Sequence, residues 1–191
     1  MSSTTSSRAL ATAVWPDNVS RALRAVILVL AGTAILAISA KVKVPFWPVP
    51  MTLQTLAVLV IGAVFGARLA GATVLAYLAE GALGLPVFAS GAGLAYLAGP
   101  TGGYLVGFLL AAMFLGWCSD RCLLRRLPVA LGLFFVAQVL IFAPGVGWLA
   151  AFIGLPEAVM AGAVPFLAGE ALKLVLAALL VTGLWRRARA A

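Results

Sequence analysis

The chain has 191 residues, of which 64% are hydrophobic and 9% are charged, whereas a soluble domain has roughly 45–50% and about 25%. With a mean hydropathy of +1.17, this composition excludes a free-standing soluble enzyme and a disordered chain, and it predicts a protein whose solvent is the lipid bilayer. The net charge of +8 does not require a nucleic-acid partner, because basic residues beside apolar spans set membrane orientation.

The length predicts an all-α bundle of six transmembrane helices. Six spans of about 20 residues, each crossing about 30 Å of hydrocarbon, would use about 120 residues and leave short connections. Five or seven helices are the alternatives. We expect a flexible cytoplasmic tail over residues 1–20, a transmembrane substrate-binding domain over 21–185 and a basic cytoplasmic tail over 186–191.

The first span is predicted from Arg21 to Ala40 and is followed by a proline-rich loop, Lys41 to Met51, that cannot continue the helix. Thr52 to Gly84 is apolar with one break at Gly66-Ala67-Arg68, which predicts two short or tilted helices. Leu85 to Gly103 is too rich in Gly and Pro for a helix and too apolar for an exposed loop. Such backbone is tolerated at membrane depth where protein buries it or a cavity receives it.

The fourth span is predicted from Tyr104 to Trp117 and ends at a charged turn, Ser119 to Arg126. The fifth begins near Leu127, and we expect Pro144 and the glycines after it to interrupt it. The stretch from there to Pro156 is either the broken end of that helix or a re-entrant segment. The sixth is predicted from Val159 to Trp185.

The distribution of basic residues predicts that both termini lie in the cytoplasm. With six crossings, the outside holds Lys41 and Lys43, Lys173 lies within the last span, and the inside holds ten arginines. Basic residues collect on the cytoplasmic side of membrane proteins. The ten are Arg8, Arg21, Arg24, Arg68, Arg121, Arg125, Arg126, Arg186, Arg187 and Arg189.

Glu170 and Lys173 are the most informative polar pair, because they lie three residues apart inside an apolar run. Residues at that spacing share a helix face, so the two can pair and turn away from lipid. Embedded charges are costly and usually mark a ligand or ion pathway, although an ion pair kept for packing is the alternative. Gln54 is predicted to contact a ligand or to cap backbone, Gln138 to bond between helices, and Glu80 to be interfacial.

Several kinds of chemistry are excluded. The chain has no histidine, its only aspartates are Asp17 and Asp120, and it has no Gly-rich P-loop. We therefore expect no enzyme, no metal and no cofactor. Cys118 and Cys122 read as packing residues rather than a zinc or disulfide pair. The pairs Gly62–Gly66 and Gly103–Gly107 predict close helix packing.

Three ordered motifs resemble one family. They are Val-Pro-Phe-Trp-Pro-Val-Pro-Met-Thr-Leu-Gln-Thr at 44–55, Gly-Ala-Leu-Gly-Leu-Pro-Val-Phe-Ala at 81–89 and Gly-Pro-Thr-Gly-Gly-Tyr-Leu at 99–105. With the acidic residue and lysine of the last helix, they are similar to the BioY family, the biotin-binding S components of energy-coupling-factor (ECF) transporters. The resemblance covers nearly the whole chain after about residue 20.

The resemblance implies a six-helix S component in the cell's inner membrane, with an outward-facing biotin site roofed by the first and third loops. It implies partnership with a transmembrane coupling subunit and cytoplasmic ATPases. Glu170 stands where the family usually has Asp. Biotin's polar groups suit Lys173, Glu170 and Gln54, and aromatic residues could wall its bicycle. The implied substrate-binding set is Gln54, Glu170, Lys173, Tyr77, Tyr104, Phe46, Trp47 and Phe88.

A docking face for the coupling subunit is expected on the first helix. The small residues there recur every three positions, rather than in a strict small-xxx-small stripe. The residues assigned to that face are Ala22, Ala25, Ala31 and Ala34. The alternative function is a stand-alone secondary transporter or facilitator for a small carboxylate-bearing ligand, with Glu170 as a titrating group. A purely structural membrane protein is a third, weaker reading.

Overall fold

The computed structural model describes residues 20–45 and 47–190, so nearly all of the expected N-terminal tail lies outside the described residues. The chain is mostly helical. Its helices are α1 (Arg21–Lys41), α2 (Gln54–Phe65), α3 (Ala67–Ala82), α4 (Leu94–Leu97), α5 (Gly102–Asp120), α6 (Leu127–Ile153), α7 (Leu155–Gly162) and α8 (Leu167–Ala190). Two 3₁₀ turns, Leu123–Arg125 and Val164–Phe166, precede α6 and α8.

A small antiparallel hairpin joins α1 to α2. Its strands are β1 (Lys43–Val44) and β2 (Met51–Thr52), with Lys43 opposite Thr52 and Val44 opposite Met51. The prolines between the strands explain why this loop does not become helical. The second strand ends two residues before α2 begins.

Within residues 20–45 and 47–190, four stretches are long and apolar enough to cross a membrane: α1, α5, α6 and the run from Leu155 to Ala188. The two predicted short helices are confirmed as α2, with 12 residues, and α3, with 16. At 1.5 Å per residue they span about 18 and 24 Å, less than a bilayer core. Gly66, with a φ of 80°, makes the turn between them.

The core lies where α2, α3, α5, α6 and α8 meet. The α5–α6 contact is the most extensive, and glycines let the two backbones approach each other. A Cβ on Gly107 would lie 2.7 Å from the Cα of Ile141, and one on Gly103 would collide with the Pro144 carbonyl. The fully buried core side chains include Val58, Leu59, Val74, Leu115, Phe134 and Ile141.

The predicted interruption of the fifth helix is wrong, because α6 runs through Pro144 to Ile153. Proline removes one backbone donor and crowds the carbonyl four residues earlier. In a membrane such a proline is tolerated where neighbouring helices compensate, and here the close packing of α5 holds α6 together across the site.

The predicted start of the last helix at Val159 is also wrong. Helix α7 ends at Gly162, a 3₁₀ turn follows, and α8 begins at Leu167. Pro165 has no N–H to continue the α-helical bonding, and it restricts the residue before it. The break places Glu170 in the first turn of α8 rather than in the middle of a span.

The arginines of the described residues gather at one end of the bundle, away from the three lysines. There the Asp120 Oδ2 accepts a hydrogen bond from the Ala67 N–H at 3.0 Å. The Arg121 guanidinium lies 3.9 Å from the centre of the Trp117 ring, and Arg125 lies 4.8 Å from that of Trp185. The hairpin and the segment between α3 and α5 lie at the opposite end.

Candidate functional site

A narrow cleft opens at the end of the bundle away from the arginines. Its cavity volume is about 50 Å³. We call it the inner cleft. Its polar lining residues are Thr52, Gln54, Thr55, Tyr96, Thr101, Tyr104 and Glu170, and its apolar lining residues are Val49, Pro50, Ala89, Leu105, Phe108, Phe142 and Phe166.

The Glu170 carboxylate is the charged group of the inner cleft, and it is 7% exposed. Its Oε1 accepts hydrogen bonds from the Thr55 hydroxyl at 2.9 Å and from the Lys173 ammonium at 2.6 Å. Its Oε2 accepts from the Gln138 side-chain amide at 2.8 Å. A carboxylate has about four acceptor positions, so one position remains for a ligand. The first turn of α8 also stabilises a negative charge through the helix dipole.

Lys173 is not one of the residues that line the inner cleft. Its ammonium donates to the Glu170 Oε1, to the Thr52 carbonyl at 2.6 Å and to the Thr55 hydroxyl at 3.1 Å. An ammonium has three donors, so these contacts use all of them. Lys173 therefore holds the carboxylate and the end of the hairpin in position rather than presenting a free charge.

Gln54 is oriented by a chain of hydrogen bonds. The Tyr77 hydroxyl donates to the Val87 carbonyl at 3.0 Å, so its oxygen accepts from the Gln54 amide nitrogen at 2.7 Å. This fixes which end of the amide is the oxygen. That oxygen has no hydrogen bond within residues 20–45 and 47–190, and the nitrogen keeps one free N–H. Gln54 therefore offers the inner cleft a donor and an acceptor side by side.

The walls of the inner cleft are aromatic. On one side the Tyr104 ring meets Phe142 edge to face at 5.7 Å, and Phe142 contacts Phe166 at 6.1 Å. The Tyr104 hydroxyl donates to the Gly162 carbonyl at 2.7 Å, which ties α5 to the end of α7. Tyr104 thus lines the cleft with its ring, and its hydroxyl proton is donated to Gly162 rather than to the cleft.

On the other side Tyr96 lines the cleft and is backed by two buried rings. The Phe88 ring stacks on Tyr96 with centroids 4.9 Å apart and meets Tyr77 edge to face at 5.4 Å. Phe88 is 1% exposed and Tyr77 is fully buried. Both support the wall from behind and do not line the inner cleft.

A second, more open cleft lies outside the first and shares Pro50, Tyr96 and Thr101 with it. We call it the outer cleft. Trp47 lines it and is 85% exposed, so this predicted site residue lies at the rim rather than against the inner cleft. Phe46 lies outside the described residues. The remaining lining residues are Lys43, Pro45, Pro48, Ser90, Ala95, Gly99 and Pro100.

The short α2 explains why polar side chains stand at this depth. Because α2 has only 12 residues, its N-terminus begins inside the bundle, and Gln54 and Thr55 are its first two residues. The Thr52 hydroxyl accepts from the Gln54 N–H at 3.3 Å, which caps that end. The proline break before α8 brings Glu170 to the same level from the opposite side.

Some lining residues were not singled out by the sequence. The only sequence feature that could have indicated Thr52 and Thr55 is their position beside Gln54 in the first motif. Nothing in the sequence distinguishes Phe142 and Phe166 from other apolar residues. Tyr96 lies outside the three motifs, and the structure stacks it on Phe88 in the wall of the cleft. The predicted interhelical bond of Gln138 is confirmed by its contact with Glu170.

The four alanines assigned to docking do not share one face of α1. Ala22 and Ala31 are nine residues apart, about two and a half turns, which places them on opposite sides of the helix. Ala31 and Ala34 are exposed and lie three residues apart, so they share a face. The docking expectation therefore narrows to Ala31 and Ala34.

Known proteins resemble this chain over most of its length. The model of the BioY family matches residues 7–190. The probable biotin transporter BioY of Pyrococcus horikoshii is 37% identical over 147 residues, 76% of this chain and 86% of that protein. The biotin transporter BioY of Thermotoga maritima is 38% identical over 157 residues, 80% of this chain and 92% of that protein. The chain belongs to the BioY family.

A solved structure shows the same fold. The crystal structure of the S-component for biotin from an ECF-type ABC transporter matches with a TM-score of 0.76 and 22% sequence identity, covering 91% of this chain and 95% of that one. The chain is therefore a multi-pass helical membrane protein with the S-component fold. The resemblance stated from the three motifs is confirmed.

Proposed function

We propose that this chain is a biotin-binding S component that takes up biotin together with an ECF energising module. The observation that carries the proposal is that the Gln54 amide and the Glu170 carboxylate line the same, largely apolar cleft. The names of its BioY relatives support the same ligand. The activity is transport, and ATP hydrolysis belongs to partner subunits.

Biotin's ureido group is a cyclic urea with one carbonyl and two N–H groups. The Gln54 side chain can donate its free N–H to that carbonyl and accept from one ureido N–H, as two amides do when they pair. The Glu170 carboxylate, with one acceptor position left, can accept from the second ureido N–H as a charge-assisted bond. These bonds satisfy the ureido group in a cleft that otherwise supplies few donors.

The apolar part of biotin suits the remaining walls. Ligand sites bury most of a small ligand against hydrophobic and aromatic side chains and use a few polar groups for orientation. The rings of Tyr96, Tyr104, Phe142 and Phe166 provide such walls here. Tyr77, Phe88 and Lys173 act from behind, by fixing Gln54, Tyr96 and Glu170.

We propose six crossings, with both termini in the cytoplasm and the clefts facing outwards. The segregation of arginines at the end opposite the clefts supports this orientation through the positive-inside rule. The fold likeness to an S-component supports a coupling subunit and ATPases as partners. The exposed Ala31 and Ala34 on α1 are the proposed contact for the coupling subunit, because small residues let helices approach closely.

The proposal is tested by calorimetric titration of biotin into the purified full chain, compared with Gln54→Leu. We expect saturable one-site binding by the wild type and an affinity loss of at least about tenfold in the variant, because a buried ureido group would lose two partners. Thr182→Val is the control, since its hydroxyl bonds within α8 to Ala178, away from the clefts. Equal affinity of wild type and Gln54→Leu would contradict the assignment.

A further inference from the structure

The clefts contain one further charged group that the proposed function has not used. Lys43, on β1, lines the outer cleft, and it is the single cationic side chain among the described residues that line either cleft. The other lysine near the site, Lys173, has its three donors occupied. An anionic group bound in the clefts therefore has Lys43 as its available partner.

The Lys43 ammonium is held in place and still has a donor to give. It donates to the Ala89 carbonyl at 2.7 Å and to the Ser90 hydroxyl at 3.1 Å. An ammonium has three N–H groups, so one remains. Two bonds to the loop after α3 reduce the freedom of a long side chain, which lowers the entropy cost of a third contact.

The two clefts adjoin each other, because Pro50, Tyr96 and Thr101 line both. The inner end offers Gln54 and Glu170, which suit a neutral hydrogen-bonding head group, and the carboxylate there disfavours a second negative charge. The middle is bordered by proline and aromatic surface. The outer end carries a positive charge. This order matches a ligand with a neutral polar head, an aliphatic chain and a terminal carboxylate.

We infer that Lys43 is the carboxylate-recognition residue of this chain and selects ligands that carry a free carboxylate at the end of their chain. The inference rests on the proposed function, because it takes the head group to lie in the inner cleft. Lys43 then discriminates between biotin and its neutral esters, and the loop contacts to Ala89 and Ser90 position it for that task.

The test compares biotin with biotin methyl ester, which keeps the head and chain but lacks the charge. Affinities for both are measured by titration on the purified full chain, on Lys43→Gln and on Lys43→Arg. We expect the wild type to prefer biotin by about five- to tenfold, the range of one charge-assisted bond that is partly open to solvent. Lys43→Gln should lose this preference while keeping its affinity for the ester, and Lys43→Arg should retain it.

Lys41→Gln is the matched control. The Lys41 ammonium, at the end of α1, donates to the Phe88 carbonyl at 2.6 Å, so it also tethers the loop after α3, but it is not one of the residues that line either cleft. It should leave the preference for biotin intact. Raising the salt concentration should weaken biotin binding more than ester binding, because an exposed ion pair is screened.

Two results would overturn the inference while leaving the proposed function standing. One is equal weakening of biotin and ester by Lys43→Gln, which would mean that Lys43 acts only as a loop tether. The other is an unchanged affinity for both ligands in that variant. Absence of saturable binding of either ligand to the wild type would instead overturn the proposed function itself, and this inference with it.

Discussion

Glu170 is a buried, charged residue with three hydrogen-bond partners. It stands in the first turn of α8, accepts from Thr55, Lys173 and Gln138, and still faces the inner cleft. A buried charge is tolerated when it is paired and its remaining acceptor positions are satisfied. We propose that the last position accepts from the ligand, so that the same carboxylate serves packing and recognition together.

Replacing this carboxylate tests its recognition role. Glu170→Gln is expected to weaken biotin binding by at least about tenfold, since a neutral amide cannot give the charge-assisted bond and can present a donor where an acceptor is needed. Glu170→Asp should lose less, because it keeps the charge with a shorter reach. Titration of biotin into each variant measures both effects.

Glu157→Gln is the control for that series, since Glu157 is an exposed carboxylate on α7. It should bind biotin as the wild type does. Glu170→Gln with unchanged affinity would show that the carboxylate only supports the bundle.

Replacing Lys173 is expected to lower the stability of the protein directly and its affinity for biotin only indirectly. Lys173→Met removes the partner of a buried carboxylate, which costs about 3 to 5 kcal/mol when the remaining charge is unpaired. The double variant Glu170→Gln with Lys173→Met removes both charges and should regain most of that loss. Thermal unfolding in detergent measures the stabilities.

Biotin binding by the same variants separates the role of Glu170 in recognition from the role of Lys173 in stability. The double variant should be folded yet bind biotin weakly, because the carboxylate is gone. Arg187→Met is the control for loss of a basic residue, as Arg187 is exposed at the other end of α8. A Lys173→Met protein as stable as the wild type would contradict the assigned role.

The sequence predicted which polar residues lie close together better than it predicted how each one is placed. Gln54, Tyr104 and Glu170 line the inner cleft, whereas Lys173 and Tyr77 lie one hydrogen bond behind it. Spacing shows that two residues share a helix face, but it does not show which of them faces a cavity. That distinction depends on tertiary contacts such as the Thr52 carbonyl that receives Lys173.

At the level of elements, the glycines of α5 decide how closely it packs on α6. A Cβ on Gly107 would lie 2.7 Å from the backbone of Ile141, so Gly107→Ala forces the helices apart and should destabilise the protein by about 1 to 3 kcal/mol. Gly132→Ala, on α6, is the matched control, because a Cβ there meets nothing within 4 Å. It should be neutral or stabilise by up to about 1 kcal/mol. Thermal unfolding of both variants distinguishes them, and equal effects would contradict the packing account.

The positions of the helix ends show what local sequence patterns cannot predict. Gly66 and Pro165 end helices, whereas Pro144 lies inside one. Proline always removes a backbone donor, but whether the helix continues depends on the neighbour that packs across it. At Pro144 that neighbour is the glycine face of α5, which no local pattern around residue 144 reveals. The N-terminal limit of α8, and hence the position of Glu170 within its helix, could not be predicted for the same reason.

At the scale of the whole molecule, charge asymmetry predicts orientation. In a chain whose native cysteines are replaced by alanine, Ser90→Cys should be labelled by a membrane-impermeant maleimide added outside intact cells. Arg187→Cys should be labelled only after the membrane is opened, because the arginine-rich end is expected in the cytoplasm. Both positions are exposed, so they form a matched pair. The reverse labelling pattern would contradict the proposed topology.

The composition of the chain predicted a membrane bundle, and its few embedded polar residues determine what that bundle can bind. The central claim is that the inner cleft recognises a ureido group through Gln54 and Glu170. The most direct measurement is titration of the wild-type chain in lipid nanodiscs with biotin and with lipoic acid, which has a similar carboxylate chain but no ureido group. The account predicts saturable one-to-one binding of biotin and at least about tenfold weaker binding of lipoic acid. Equal affinity for the two ligands, or no saturable binding of biotin, would contradict it.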